Sequence, residues 1–232
     1  MTRIAGLLFD FDGTLAELHI DFEAMRRQVA ELAAVFMDQA PEASTAPVLE
    51  WIDQLAARMS RDLPREDVLE FRSRCRMRLV GLEMKAAARG RLFPFTQGVL
   101  AGLQDKGVRT AVVTRNCTPA VKTVYPQIMQ EVDCLLARED VQRVKPDPDH
   151  LLQAIRTLGV RPEECCMVGD HWLDIQAAHR AGIRSAAVHT GRISGLELAR
   201  YGPDFSVPDV HSLVRELSRF GLLQADCRDR TC

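Results

Sequence analysis

Residues 4–9, Ile4-Ala5-Gly6-Leu7-Leu8-Phe9, are apolar throughout and break at once into Asp10-Phe11-Asp12-Gly13-Thr14. A short unbroken apolar run that stops at a polar, glycine-bearing turn is the pattern of a strand buried on both faces. Such a strand needs parallel neighbours and covering helices, and the chain from Arg91 onward supplies both. Residues 94–106 read as a helix closed by Gly107, followed by strand 110–113. Thr118 caps a short helix over 119–125, and 134–136 is a brief strand. Helix 149–158 ends at Gly159; strand 165–168, helix 172–181, Gly182 and strand 185–188 follow. Strand 205–207 and helix 210–220 close the pattern. Alternation of this kind specifies an α/β fold, a Rossmann-like parallel sheet flanked by helices.

Between the first strand and this alternation the chain reads as helix only. Phe22, Met25, Val29, Leu32 and Phe36 recur at steps of three and four behind an Asp21 N-cap. Pro41 and Pro47 interrupt, and Val48, Ile52, Leu55 and Met59 begin a second helix. Pro64 stands where a first helical residue belongs, and Val68, Phe71, Cys75, Leu79 and Leu82 share one face of a third. The expected organisation is therefore a core from residues 1–16 and 91–226, an inserted all-helical cap at 17–90, and a disordered tail at 227–232.

At 232 residues, 47% of them hydrophobic and 27% charged, the chain is long enough for one sizeable core plus a small module. A net charge of −2 argues against a nucleic-acid or membrane-surface binder. No stretch approaches the ~20 apolar residues of a membrane span, and residues 4–9 fall short of a signal-peptide core. A cytoplasmic protein is the expectation. The seven cysteines form no C-x-x-C pair, and Cys165 and Cys166 sit in an apolar run as buried free thiols.

Ligands of open parallel sheets bind beyond the carboxyl ends of the strands. That rule gathers Asp10–Thr14, Thr114–Asn116, the loop around Lys145, and Gly169–Asp174 into one crevice. Two carboxylates one residue apart after a buried strand are costly unless paired or bound to a cation. The pattern Asp-x-Asp-Gly-Thr arises by chance in only about 1 in 500 chains of this length. Lys145 is one of only four lysines against 26 arginines, so its position is informative.

Taken together, DFDGT at 10–14, Thr114 in VVTRN, Lys145 in VKPDPD, and Asp170 with Asp174 in VGDHWLD resemble the four signatures of the haloacid dehalogenase-like (HAD) superfamily. The resemblance spans residues 1–16 and 91–220. It implies phosphate-ester chemistry through a covalent aspartyl-phosphate, with Asp10 as nucleophile and Asp12 as proton donor and then base. It implies Mg²⁺, held by the Asp10 carboxylate, the Asp12 backbone carbonyl and Asp170. Thr114, Arg115 and Asn116 would hold the phosphoryl oxygens, Lys145 would neutralise their charge, and Asp174 would orient Lys145 or a metal-bound water. His171 reads as a structural loop residue at least as well as a substrate contact.

Asp12 separates branches of the superfamily. Dehalogenases lack it, because no alkoxide there needs a proton. From Thr114 to Lys145 is only 31 residues, too few for a large second cap, so the insertion at 17–90 is the sole cap, as in phosphatases resembling phosphoglycolate phosphatase. Between Arg58 and Arg91 ten basic residues face five acidic ones. Most of them read as a solvated helix face with i,i+4 pairs such as Glu70–Arg74. The expected substrate is a small phosphorylated metabolite, phosphoglycolate foremost. A β-phosphoglucomutase-like phosphotransferase or a regulatory protein on a phosphatase core are the alternatives.

Overall fold

The computed structural model describes residues 2–37, 41 and 44–223. The expected tail at 227–232, with Cys227 and Cys232, lies outside them. The elements run β1 (Gly6–Phe9), β2 (Ala16–Glu17), α1 (Phe22–Phe36), α2 (Val48–Met59), α3 (Arg65–Ala87), β3 (Arg91–Leu92), α4 (Thr96–Asp105) and β4 (Arg109–Val113). There follow α5 (Thr118–Val124), α6 (Ile128–Glu131), β5 (Cys134–Leu136), α7 (Asp149–Leu158), β6 (Cys165–Gly169), α8 (Trp172–Ala181), β7 (Arg184–Val188), α9 (Gly195–Ala199), β8 (Phe205–Val207) and α10 (Val210–Arg219). The chain divides into two compact units, with the breaks after Leu18 and before Gly90.

The first unit is built on a six-stranded sheet in the order β5-β4-β1-β6-β7-β8, parallel throughout. The α/β, Rossmann-like expectation is met. Residues 4–9 are the most central piece, as their unbroken apolarity requires: Phe9 stands opposite Val112 on one side and Val168 on the other. Leu8, Val113, Leu151, Ile155 and Met167 form part of one packed core between sheet and helices. Gly159 and Gly182 end α7 and α8 at φ 67° and 70°, left-handed values that cost other residues about 1–2 kcal/mol.

Glu17 and Leu18 lie with this unit and not with the insertion, because Ala16 and Glu17 pair antiparallel with Leu92 and Arg91. An ion pair from Arg91 to Glu17 at 2.6 Å reinforces the ribbon.

The second unit is three helices. Asp21 caps α1 through its Oδ1, which accepts from the Ala24 amide at 2.8 Å. Phe36 meets Phe71 edge-to-face with ring centres 5.9 Å apart, and Arg74 lies over the Phe36 ring. The pair Glu70–Arg74 forms as its spacing implies, and Arg72 pairs with Asp53. Pro64 is the N-cap of α3 and not its first residue. Among the described residues no helix is long and apolar enough to cross a membrane. Cys75, Cys117, Cys134, Cys165 and Cys166 are buried free thiols.

Candidate active site

Because β4, β1 and β6 are neighbours, the residues that follow them emerge side by side. Asp10 leaves β1 with its amide bonded to the Val168 carbonyl of β6 at 2.9 Å. Thr114 leaves β4 with its amide bonded to the Leu136 carbonyl at the end of β5, 3.0 Å away. Asp170 follows β6 directly. Four pieces of sequence up to 164 residues apart become one cluster at the end of the sheet.

Lys145 lies at its centre. Its Nζ sits 2.9 Å from Asp10 Oδ1 and 2.6 Å from Asp174 Oδ1, and its side chain is 1% exposed. Burial alone would lower the ammonium pKa; Asp10 and Asp174 outweigh it and hold the group above its ordinary value. The backbone of Lys145 is held as well. Its amide donates to His150 Nδ1 at 3.3 Å, and its carbonyl accepts from Arg115 Nη1 at 2.6 Å.

Around this cation the carboxylates are crowded. Asp12 is raised from 3.8 to about 7, chiefly by burial, with Asp10 adding to the rise and the Leu18 amide and the Arg192 charge opposing it. The Leu18 amide donates to Asp12 Oδ1 at 2.9 Å. Asp170 is raised by burial first and then by Asp10, Asp174 and Asp12. Asp174 is raised to about 6, again chiefly by burial, with Lys145 pulling against it. Negative charge of this density in a buried site calls for a second cation.

The donor set fits a hard divalent ion. Asp10, Asp170 and Asp174 can each bring one carboxylate oxygen within 4.8 Å of the others. Asp174 is already committed on both oxygens, Oδ1 to Lys145 Nζ and Oδ2 to the His171 amide at 3.1 Å. Asp10 and Asp170 are therefore the carboxylates better placed to ligate. Two glycines make room for Asp170: a Cβ on Gly13 would lie 2.5 Å from its Cγ, and one on Gly191 would lie 2.7 Å from its Cβ. The Thr14 hydroxyl donates to Asp170 Oδ1 at 3.2 Å, and the Thr190 hydroxyl ties the Gly191 loop to the Gly13 carbonyl at 2.5 Å. All-oxygen coordination by few side chains is the preference of Mg²⁺.

Asp10, Asp12, Thr114, Lys145 and Asp170, on loops, and Asp174, in the first turn of α8, thus stand at one end of the sheet. Arg115 turns toward Lys145, and its own carbonyl accepts from Arg138 Nη1 at 3.0 Å. Asn116 Oδ1 accepts from the Cys117 amide at 3.0 Å, while its buried Nδ2 has no partner among the described residues. His171 caps α8 through Nδ1, which accepts from the Leu173 amide at 3.2 Å. Sequence reading missed His150, Thr190, Gly191 and Arg192. Only Gly191 carried a signal, as a glycine three residues beyond the end of a strand.

A family model for haloacid dehalogenase-like hydrolases matches residues 4–182. The chain belongs to the haloacid dehalogenase-like hydrolase family. Among its relatives, a phosphoglycolate phosphatase of Shigella dysenteriae serotype 1 is 29% identical over 241 residues, covering 92% of each chain. Two solved structures share the fold. A hydrolase from Pseudomonas syringae superposes with TM-score 0.68 at 19% identity, over 93% of this chain and 98% of that one. A predicted phosphoglycolate phosphatase from Haemophilus somnus superposes with TM-score 0.63 at 22% identity, over 93% and 99%.

Proposed function

We propose that this hydrolase is a Mg²⁺-dependent phosphatase of a small phosphorylated metabolite, with phosphoglycolate the first substrate to test. The observation that carries the reading is Lys145, locked between Asp10 and Asp174 at the mouth of the sheet. An ammonium touching the nucleophile is placed where a phosphoryl group accumulates charge during transfer. The relative named phosphoglycolate phosphatase supports the substrate class. The five buried free thiols suit a reducing, cytoplasmic setting.

Asp10 is the nucleophile. Lys145 holds one of its oxygens; the other attacks phosphorus, forming the Asp10–phosphorus bond as the bond to the leaving oxygen breaks. Asp12, protonated near neutral pH, gives its proton to that oxygen. A water then attacks the same phosphorus, Asp12 takes the water's proton, and inorganic phosphate leaves as the Asp10–phosphorus bond breaks. The Thr114 hydroxyl, whose oxygen accepts from the Asn116 backbone amide at 3.1 Å, and the Asn116 side-chain Nδ2 are the donors for the phosphoryl oxygens. Asp174 orients Lys145. Mg²⁺, held by Asp10, the Asp12 carbonyl and Asp170, supplies neutralisation that lets an anionic ester approach an anionic nucleophile.

The test is phosphate release over a panel of phosphorylated metabolites, with Mg²⁺ present and then chelated. Release that survives confirmed chelation overturns the metal assignment. A sugar phosphate that isomerises without releasing phosphate replaces the hydrolase with a phosphotransferase.

Metal should stabilise the fold, and more so as pH rises. Carboxyls whose folded pKa lies above 3.8, as for Asp12 at about 7 and Asp174 at about 6, favour the folded state when protonated. In EDTA that contribution is lost as pH climbs through this window. Mg²⁺ replaces the departed protons, so the melting temperature gained on adding Mg²⁺ should be larger near pH ~7.5 than near ~5.5. Contributions from other groups, including His150, cancel in that difference. Calorimetry showing a gain that is flat or shrinks with pH would contradict the site.

Gly191→Ala should raise the Mg²⁺ concentration for half-maximal activity by about tenfold or more. The new Cβ meets Asp170 Cβ, an atom that rotation cannot withdraw, so the carboxylate must shift. An unchanged Mg²⁺ titration would show that Asp170 does not hold the metal.

A further inference from the structure

We propose that His150 is a positioning residue that registers Lys145 against Thr114, through the Leu136 carbonyl that it shares with the Thr114 amide. His150 lies in the first turn of α7, is fully buried, and touches neither Asp10 nor Asp170 in any hydrogen bond. Its Nδ1 accepts from the Lys145 amide, which can only donate, so Nδ1 carries no proton. Nε2, 3.2 Å from the Leu136 carbonyl, then carries the proton and donates. The Leu136 oxygen thus uses one lone pair for the Thr114 amide and one for His150. Burial, together with the Lys145 and Arg115 charges, keeps the ring neutral by pushing its pKa down to about 3.

The arrangement matters because a lysine side chain is a flexible four-carbon stem. Where Nζ arrives depends on where its backbone is fixed, and a misplacement of about 1 Å at a reacting centre costs on the order of 10²-fold in rate. Here both backbone polar groups of Lys145 are gripped by side chains, the amide by His150 and the carbonyl by Arg115. The same histidine reaches the strand end that anchors Thr114. The two residues that would contact the phosphoryl group are thereby held at a fixed separation by one imidazole.

The kinetic half of this inference rests on the phosphatase reading, and the spectroscopic half does not. Three variants are compared on p-nitrophenyl phosphate with saturating Mg²⁺. His150→Leu, which loses both hydrogen bonds, should lower kcat by about 10- to 100-fold with KM changed less than about threefold. His150→Asn places an oxygen where Nδ1 was and should recover most of kcat. His150→Gln reaches toward Leu136 but not the Lys145 amide, and should not. Wild-type kcat in His150→Leu, or rescue by Gln equal to rescue by Asn, overturns the proposal. If His150→Leu does not fold, the Asn and Gln variants still decide it. In the wild-type protein, ¹⁵N NMR should show His150 protonated on Nε2 and bare on Nδ1 from about pH 5 to 8; a protonated Nδ1 overturns it. If the wild type hydrolyses no phosphate ester, the phosphatase reading falls alone, and the nitrogen spectrum still decides the His150 hydrogen bonds.

Discussion

Asp10→Asn is expected to leave no phosphorylated protein from any substrate and to lower turnover by about 10⁴-fold or more. An amide oxygen is a poor nucleophile and cannot form the acyl phosphate that the Asp10 carboxylate would form. The loss should not come from unfolding. The charge of Asp10 contributes to raising the pKa of Asp12, Asp170 and Asp174, so its removal relieves repulsion even as it gives up an ion pair with Lys145. The melting temperature in EDTA should therefore hold or rise. Asp12→Asn separates the two aspartates. It keeps the nucleophile and loses the proton donor, so nitrophenyl phosphate, whose leaving group departs without a proton, should still load Asp10. Hydrolysis of that adduct should then slow. Intact-protein mass after rapid acid quenching reads both outcomes. An added phosphoryl group in Asp10→Asn, mapped to another residue, would falsify the nucleophile assignment.

Lys145→Met should be the most destructive single change for stability, with a large loss of activity as well. Removing one partner of a buried ion pair leaves the other charge uncompensated, at a cost of about 3–5 kcal/mol. Here two carboxylates, Asp10 and Asp174, lose the same ammonium. Asp174, no longer opposed by the ammonium, would take up a proton more readily, and Asp10 would lose the cation that holds it in place. Turnover should fall by about 10³-fold or more, with the melting temperature in EDTA sharply lower. The double variant Lys145→Met, Asp174→Leu distinguishes the two effects. Replacing a buried charge pair by apolar groups of similar volume restores stability but returns no cation to the phosphoryl group. Recovery of activity along with stability in the double variant would mean that Lys145 serves the fold alone.

Much of the fold was legible along the chain. Helices 149–158 and 172–181 and strand 205–207 form with the bounds their patterns specify, because apolar period, N-terminal caps and αL glycines are local signals. The ribbon of β2 and β3, the single turn of α6 and the five-residue α9 were not legible. None is long enough to show a period. In α3 the face drawn through Leu82 is shifted, with Leu82 half-buried and Glu83 buried. A buried glutamate runs against the hydrophobic pattern, and no local rule anticipates it.

The site divides along the same line. The residue types at 10, 12, 114, 145, 170 and 174 were readable because each closes a strand, sits in a connecting loop or, as Asp174 does, lies in the first turn of the helix after a strand, and strand ends in a parallel sheet converge on one edge. What those side chains touch was not readable. Arg115 stands beside Thr114 in sequence, yet its guanidinium turns to the Lys145 carbonyl, 30 residues away. Gly13 and Gly191 close around Asp170, and His150 joins Lys145 to the strand end of Thr114. The sequence by itself determined the order of strands and helices and the chemistry available at their ends, because hydrophobic period and turn geometry act over a few residues. Only the tertiary structure decided which charge neutralises which, because a buried carboxylate is satisfied by whatever donor the packed sheet brings within 3 Å of it, however distant along the chain.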